Sequence, residues 1–253
     1  MRVLRGGRAR LRGAAASDPG RVREQNQDVC LVDLGRQLFA VADGMGGHRA
    51  GRVAAEIAVG SLPALLDRAR HDAGQAGAGA ALERAVAAVN EVVHAEGAND
   101  PAREGMGTTL VVVLVTGMTA HLAHVGDSRA YLLRRGRLRR LTEDHCVAAE
   151  LVRAGVLDPV AAQEHPSAHN LTQAIGMPEP VRPPRSRLKL ARGDRLLLCS
   201  DGLTKMLADE RIRTLLDSAI TPERACEALV AAANTAGGRD NVSVVVVDVG
   251  AAR

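Results

Sequence analysis

The chain has 253 residues, of which 46% are apolar, enough for one generous domain with a real core. Phe39 and Tyr131 are its only aromatic residues, so the core must be Val, Leu, Ala and Ile, and platforms for stacking single-stranded nucleic acid are missing. The net charge of +4 is carried by arginine, with lysine only at Lys189 and Lys205, and no stretch approaches the ~18 apolar residues of a membrane span.

These features predict a soluble, monomeric protein that uses neither nucleic acid nor a membrane. Cys30, Cys146, Cys199 and Cys226 are scattered without metal-type spacing, which indicates a reducing, cytoplasmic compartment. No linker or internal repeat divides the chain, so residues 1–253 read as a single domain with a loose N-terminus at 1–7.

In chain order, residues 8–16 predict a first strand, closed by the turn Ser17-Asp18-Pro19-Gly20. A dense polar stretch, Arg21 to Asp28, leads into a strand at 29–33. Gly35 turns the chain into the apolar strand 38–42, a hairpin signal. That strand delivers Asp43 to its end, followed by Gly44, Met45, Gly46, Gly47 and His48. Residues 51–61 predict a helix that Pro63 interrupts or restarts, and 71–79 predict a loop. Leu82, Val86, Val89 and Val93 recur at helical spacing, so 80–96 is an amphipathic helix stopped at Gly97.

Strands at 110–115, 119–125, 128–133 and 137–141, separated by short turns, predict an antiparallel meander. Residues 144–176 break the pattern, with a short helix at 146–154 inside a flap at about 146–170. Leu188 and Leu190 and the run Leu196 to Cys199 rebuild the sheet. Helices follow at 208–217 and 222–236, the second capped by Thr221 with Pro222 in its first turn. The last strand is 242–249. Clustered antiparallel strands with outlying helices predict an α+β sheet sandwich with helices outside.

The chemistry is concentrated at strand ends. Asp43, Asp127, Asp201 and Asp240 each end a strand or lie in the loop beside one. Carboxylates of this kind suit Mg²⁺ or Mn²⁺, and histidine–cysteine zinc spacings are lacking. Two such ions activate a shared water and stabilise in-line attack on phosphorus. Arg23 is the candidate for bidentate recognition of a phosphate. From the residues alone the reading is a two-metal phosphohydrolase.

The chain also resembles the metal-dependent Ser/Thr protein phosphatases of type 2C, in their bacterial form. The resemblance is carried by eight stretches in the family's order: 17–28, 42–48, 105–109, 125–132, 141–145, 171–176, 200–204 and 240–243. It implies a four-layer α/β/β/α sandwich of two antiparallel sheets flanked by helices, with the metals at one end. It implies that Asp43 bridges two Mn²⁺ or Mg²⁺ ions, that the Gly44 carbonyl binds the second, and that Asp201 and Asp240 complete the first. Asp127 with Asp201 would hold a weaker third ion, and Arg23 the substrate phosphate. A hydroxide bridging the metals would hydrolyse phosphoserine and phosphothreonine in proteins without a phosphoenzyme. A Ser/Thr protein kinase and its phosphorylated substrates are the partners so implied.

Three positions depart from the family's pattern. Gln27 stands where an acid usually precedes Asp28 and holds metal-bound water, Lys205 where many members have an acid, and Met45 where many eukaryotic members have a histidine. Gln27 leaves open an alternative, a catalytically weak phosphoprotein-binding regulatory module. A two-metal nuclease is disfavoured by the missing aromatics. Gln27 and Asp28 are read as supporting the metal-bound water, Asp28 alternatively as a turn residue. Ser128, Arg129, Thr108 and Thr109 tie the loops together, His145 caps the flap helix, and the arginine run 134–140 is a solvated hairpin. His48 reads as structural. His165 and His169, in the flap, are candidates for proton transfer.

Overall fold

Strand alternation decides the layering. In β3 (Leu38–Met45), Leu38, Ala40 and Ala42 pack under two helices, while Phe39 and Val41 point the other way, toward a second sheet. In β5 (Leu110–Thr116), Leu110, Val112 and Leu114 join the helix side, and Val111, Val113 and Val115 the inter-sheet core. A strand buried on both faces reads as an unbroken apolar run, and both strands do.

The structure, a computed structural model, describes residues 9–45, 50–73, 77–158, 161–162, 167, 170–184 and 186–250. The expected loose N-terminus at 1–7 lies outside the described residues, as do Gly46, Gly47, His48, His165 and His169.

One sheet runs β2 (Asp28–Asp33), β3, β5, β6 (Thr119–Val125), β9 (Ser186–Lys189), with the short β4 (Gly107–Thr108) paired to β3. The other runs β1 (Leu11–Asp18), β11 (Val242–Val249), β10 (Arg195–Cys199), β7 (Arg129–Arg134), β8 (Arg137–Arg140). All the pairings are antiparallel. Helices α1 (Ala50–Ala73) and α2 (Gly77–Ala98) cover the first sheet. Helices α5 (Asp209–Ser218) and α6 (Pro222–Thr235) cover the second, where Ile212, Leu216, Leu229 and Ala233 meet Leu197, Val244 and Val246. The result is the four-layer sandwich. Short helices α3 (Val147–Arg153) and α4 (Asp201–Thr204) complete the elements named here. No helix among the described residues is long and apolar enough to cross a membrane.

Three sequence expectations are corrected. Pro63 does not break its helix: α1 runs through it to Ala73, and α2 begins at Gly77, which shortens the loop expected at 71–79. Buried Ala54, Ala58, Leu62 and Leu66 form one apolar stripe across the proline, and tertiary burial outweighs its intrinsic cost of about 3 kcal/mol. The meander is not one sheet: β5–β6 and β7–β8 pair separately, and Gly126-Asp127 carries the chain from one sheet to the other. His145 does not cap the flap helix, whose N-cap is Cys146 without a side-chain bond. The Thr221 cap is present, its hydroxyl accepting the Arg224 N–H at 3.3 Å.

Candidate metal and phosphate site

The acids expected to act together arrive from four separate elements. Asp43 lies near the end of β3, and its partner across the antiparallel ladder is Asp28, the first residue of β2. Two carboxylates directly opposite each other repel, so the pairing costs stability unless a cation compensates. The Asp43 backbone is fixed on both sides. Its N–H donates to Thr109 Oγ1 at 3.0 Å, and its carbonyl accepts from the Thr109 N–H at 2.8 Å and the Thr108 hydroxyl at 2.9 Å. Thr109 Oγ1 in turn lies 2.7 Å from Ser128 Oγ, beside Asp127.

Gly44 follows because nothing larger fits. A Cβ there would lie 2.1 Å from the Gly51 carbonyl oxygen of α1 and 2.9 Å from that of Gln27. The strand end, the helix start and the polar stretch before β2 thus meet backbone to backbone.

Asp240 and Asn241 divide the labour of the opposite wall. Asn241 Oδ1 accepts the Gln27 N–H at 2.8 Å, and its amide donates to the carbonyls of Pro19 and Gln25 at 3.0 and 2.9 Å. That side chain pins the polar stretch across the end of the sandwich. Asp240 takes a two-pronged contact from Arg23, Nε to Oδ1 at 2.9 Å and Nη2 to Oδ2 at 3.0 Å. The Arg23 side chain is still 57% exposed, so its remaining donors face solvent.

Asp201 opens α4, directly after β10. At Gly202 a Cβ would stand 1.9 Å from the Asn241 carbonyl oxygen, so this turn of helix rests on the backbone beside Asp240. Asp201 Oδ2 is ion-paired with Lys205 Nζ, and its Oδ1 is buried without a hydrogen-bond partner among the described residues. Asp28 is anchored more deeply. Its Oδ2 accepts the Ser200 hydroxyl at 2.7 Å, and Ser200 Oγ accepts the Ser243 N–H at 3.0 Å. Its Oδ1 likewise has no partner among the described residues.

The electrostatics record the convergence. Burial, reinforced by Asp28, Asp201, Asp127 and Asp240, holds the Asp43 carboxyl well above the usual carboxylate range. Burial and Asp201 push Asp127 up to about 7, against the pull of Lys205. Burial raises Asp28 to about 6, with the Ser200 and Ser243 hydroxyls opposing. Crowded, buried acids with two orphaned oxygens are a donor set that a hard divalent cation satisfies. Among the described residues, no three His, Cys, Asp or Glu side chains are closed around a common point, and Asp201 and Asp240 instead engage Lys205 and Arg23.

Known proteins identify the family. A family described as Protein phosphatase 2C matches residues 20–234. The chain belongs to the protein phosphatase 2C family. It is 42% identical over 241 residues to the serine/threonine protein phosphatase PstP of Mycobacterium tuberculosis, covering 94% of this chain but 45% of that protein. It is 40% identical to the protein phosphatase PhpP of Streptococcus pneumoniae, covering 91% and 94%. A crystal structure of the PstP catalytic domain with two manganese ions superposes with a TM-score of 0.83 at 39% identity, covering 95% of this chain and 99% of that one.

Within this phosphatase 2C fold, the residues singled out by sequence, Arg23, Asp28, Asp43, Gly44, Asp127, Asp201 and Asp240, share one end of the sandwich. Gln27 joins them through its backbone, its carbonyl accepting the Gly44 N–H at 3.3 Å. Sequence reasoning did not single out Asn241 as the pin, nor the chain Asp28–Ser200–Ser243–Ser17, whose last link is 2.6 Å. It assigned His145 to a helix cap and not to this turn, where its Nδ1 accepts the Gly126 N–H at 3.3 Å while its backbone N–H donates to the Gly126 carbonyl at 3.0 Å. Of these only Asn241 carried a signal, its place beside Asp240.

Proposed function

We propose that this chain, acting as one phosphatase domain, is a Mn²⁺- or Mg²⁺-dependent protein phosphatase that hydrolyses phosphoserine and phosphothreonine in proteins. The observation that carries the reading is the convergence of Asp43, Asp127, Asp201 and Asp240, with Arg23 held at its rim. Asp43 would be shared between two ions, with the Gly44 carbonyl on one and Asp201 and Asp240 on the other. Asp127 would lie with Asp201 at the outer edge. Two such ions supply an activated water nucleophile and neutralise charge developing on the phosphoryl group.

The chain's own residues do the rest. Thr108 and Thr109 hold the Asp43 backbone so that its carboxylate needs no reorganisation. Asn241 holds the stretch that carries Arg23, whose free donors orient a phosphate oxygen pair. Asp28 and Gln27 stand beside Asp43 and orient water at the inner wall. The substrates would be phosphorylated proteins, with a Ser/Thr protein kinase as the opposing activity, and the phosphatase would act as a monomer in the cytoplasm.

The test is turnover of a phosphothreonine peptide titrated with Mn²⁺ and Mg²⁺. Metal-dependent release of phosphate that Asp43→Ala and Asp240→Ala both abolish supports the reading. The second reading, a binding module with weak catalysis, is favoured by the amide at Gln27. It predicts no turnover at millimolar Mn²⁺ except in Gln27→Glu. Under the phosphatase reading, Gln27→Glu only lowers the metal concentration required.

A further inference from the structure

Lys205 is one of only two lysines in the chain, and it stands among the acids. Its backbone N–H donates to the Asp201 carbonyl at 2.8 Å, which closes the single turn of α4 and puts the two side chains on one face. There the ammonium pairs with Asp201 Oδ2. The lysine side chain is 28% exposed and the Asp201 side chain 13%. The pair is therefore partly open to solvent and not sealed inside the cluster.

Asp127 and Asp201 sit beside paired strands, β7 and β10. The first is on the turn that leads from β6 into β7, the second opens α4 just past β10, and Asp201 lies close enough to raise the charging cost of Asp127. A hard cation between them would satisfy both carboxylates and the orphaned Asp201 Oδ1. Lys205 already places a unit positive charge against this pair. A lysine ammonium is a compact point charge on a flexible stem, able to hold a carboxylate but equally able to yield it.

We infer that Lys205 is a built-in counter-ion at the Asp127–Asp201 edge, a positioning residue that sets how many divalent ions the site retains. It competes with a cation for Asp201 and repels one that approaches Asp127. The ions around Asp43 are retained, and the outer position binds weakly. This rests on the metal-dependent reading proposed above.

The experiment is Mn²⁺ binding by equilibrium dialysis and calorimetry on the full chain, with folding of each variant checked by circular dichroism. Lys205→Met keeps the apolar stem and removes the charge, whereas Lys205→Arg keeps the charge. The expected result is that Lys205→Met retains one more Mn²⁺ per chain than the wild type, or binds its weakest ion at least tenfold more tightly. Lys205→Arg should match the wild type, and Asp127→Asn added to Lys205→Met should erase the gain. The inference is overturned if Lys205→Met matches the wild type in number of ions and within twofold in affinity, or if the gain survives Asp127→Asn. Asp43→Ala separates this failure from the larger one. If it leaves Mn²⁺ binding and peptide turnover intact, the phosphatase reading fails and the inference with it. If it abolishes both while Lys205→Met changes nothing, only the role of Lys205 is lost.

Discussion

Asp28 and Asp43 occupy directly opposed positions on two paired strands at one end of the sandwich, Asp28 buried and Asp43 partly buried. Asp28 is fixed by the Ser200 hydroxyl at 2.7 Å, and Asp43 by a backbone bonded on both sides to Thr108 and Thr109. The fold therefore holds a repulsive pair in place, and a bound cation converts that repulsion into attraction.

A change of sign follows for Asp28→Asn. The amide can still accept the Ser200 hydroxyl, while the charge facing Asp43 is gone. In EDTA the variant should be more stable than the wild type, by about 1 kcal/mol or a few degrees in Tm. With Mn²⁺ the order should reverse, because the wild type gains more from the ion. Thermal melts with and without metal decide it, and a variant less stable under both conditions would contradict the account.

The pH dependence of stability should carry a histidine component with its own sign. Burial, with His124 and Arg153 adding to it and Asp144 and Glu150 opposing, lowers His145 to about 4. Its ring stacks on His124 with centroids 4.6 Å apart. Nδ1 must stay unprotonated to accept the Gly126 N–H. Above pH ~6.5 the residue is neutral in both folded and unfolded chains, and its contribution is complete. As the pH falls from there toward 4, only the unfolded chain takes up the proton, and stability is lost. The raised carboxyls of Asp28, Asp43 and Asp127 work in the opposite direction, since their neutral forms are favoured in the fold. The comparison is therefore with His145→Asn, whose amide oxygen can take the same N–H. Urea midpoints of the wild type should fall relative to the variant between pH 7 and pH 4.5. Parallel curves would show that His145 does not titrate as its surroundings dictate.

How much of this was legible in the sequence depends on how local the cause is. The strands 38–42 and 110–115 read directly from their unbroken apolar runs, and the four metal-type acids from their places at strand ends. The split of the expected meander between two sheets was hidden, because β6 and β7 differ in partner, not in composition. Pro63 was misleading because the propensity cost is local and the compensating burial of Leu62 and Leu66 is not. Asn241 holds Pro19, Gln25 and Gln27, and Ser200 holds Asp28. A hydrogen bond between residues so distant in the chain leaves no periodicity or spacing to find.

Arg23 provides the sharpest separation of substrate binding from metal binding. Its guanidinium spends Nε and Nη2 on Asp240 and presents its other donors to solvent. The proximity of Asp240, then of Asp43 and Asp201, keeps it charged. If Arg23 holds the substrate phosphate as proposed, KM of Arg23→Ala for a phosphothreonine peptide should rise about tenfold or more, in line with loss of a charged hydrogen bond worth about 1.5–3 kcal/mol. The same change releases Asp240 from its ion pair, which leaves that carboxylate freer to bind a cation. Mn²⁺ affinity measured by calorimetry should therefore hold or improve while substrate affinity falls. A residue that only braced the loop would lower both together, because a loosened Asp240 would cost the metal as well. Arg23→Lys should retain the charge but not the two-pronged geometry, and should recover only part of the lost KM.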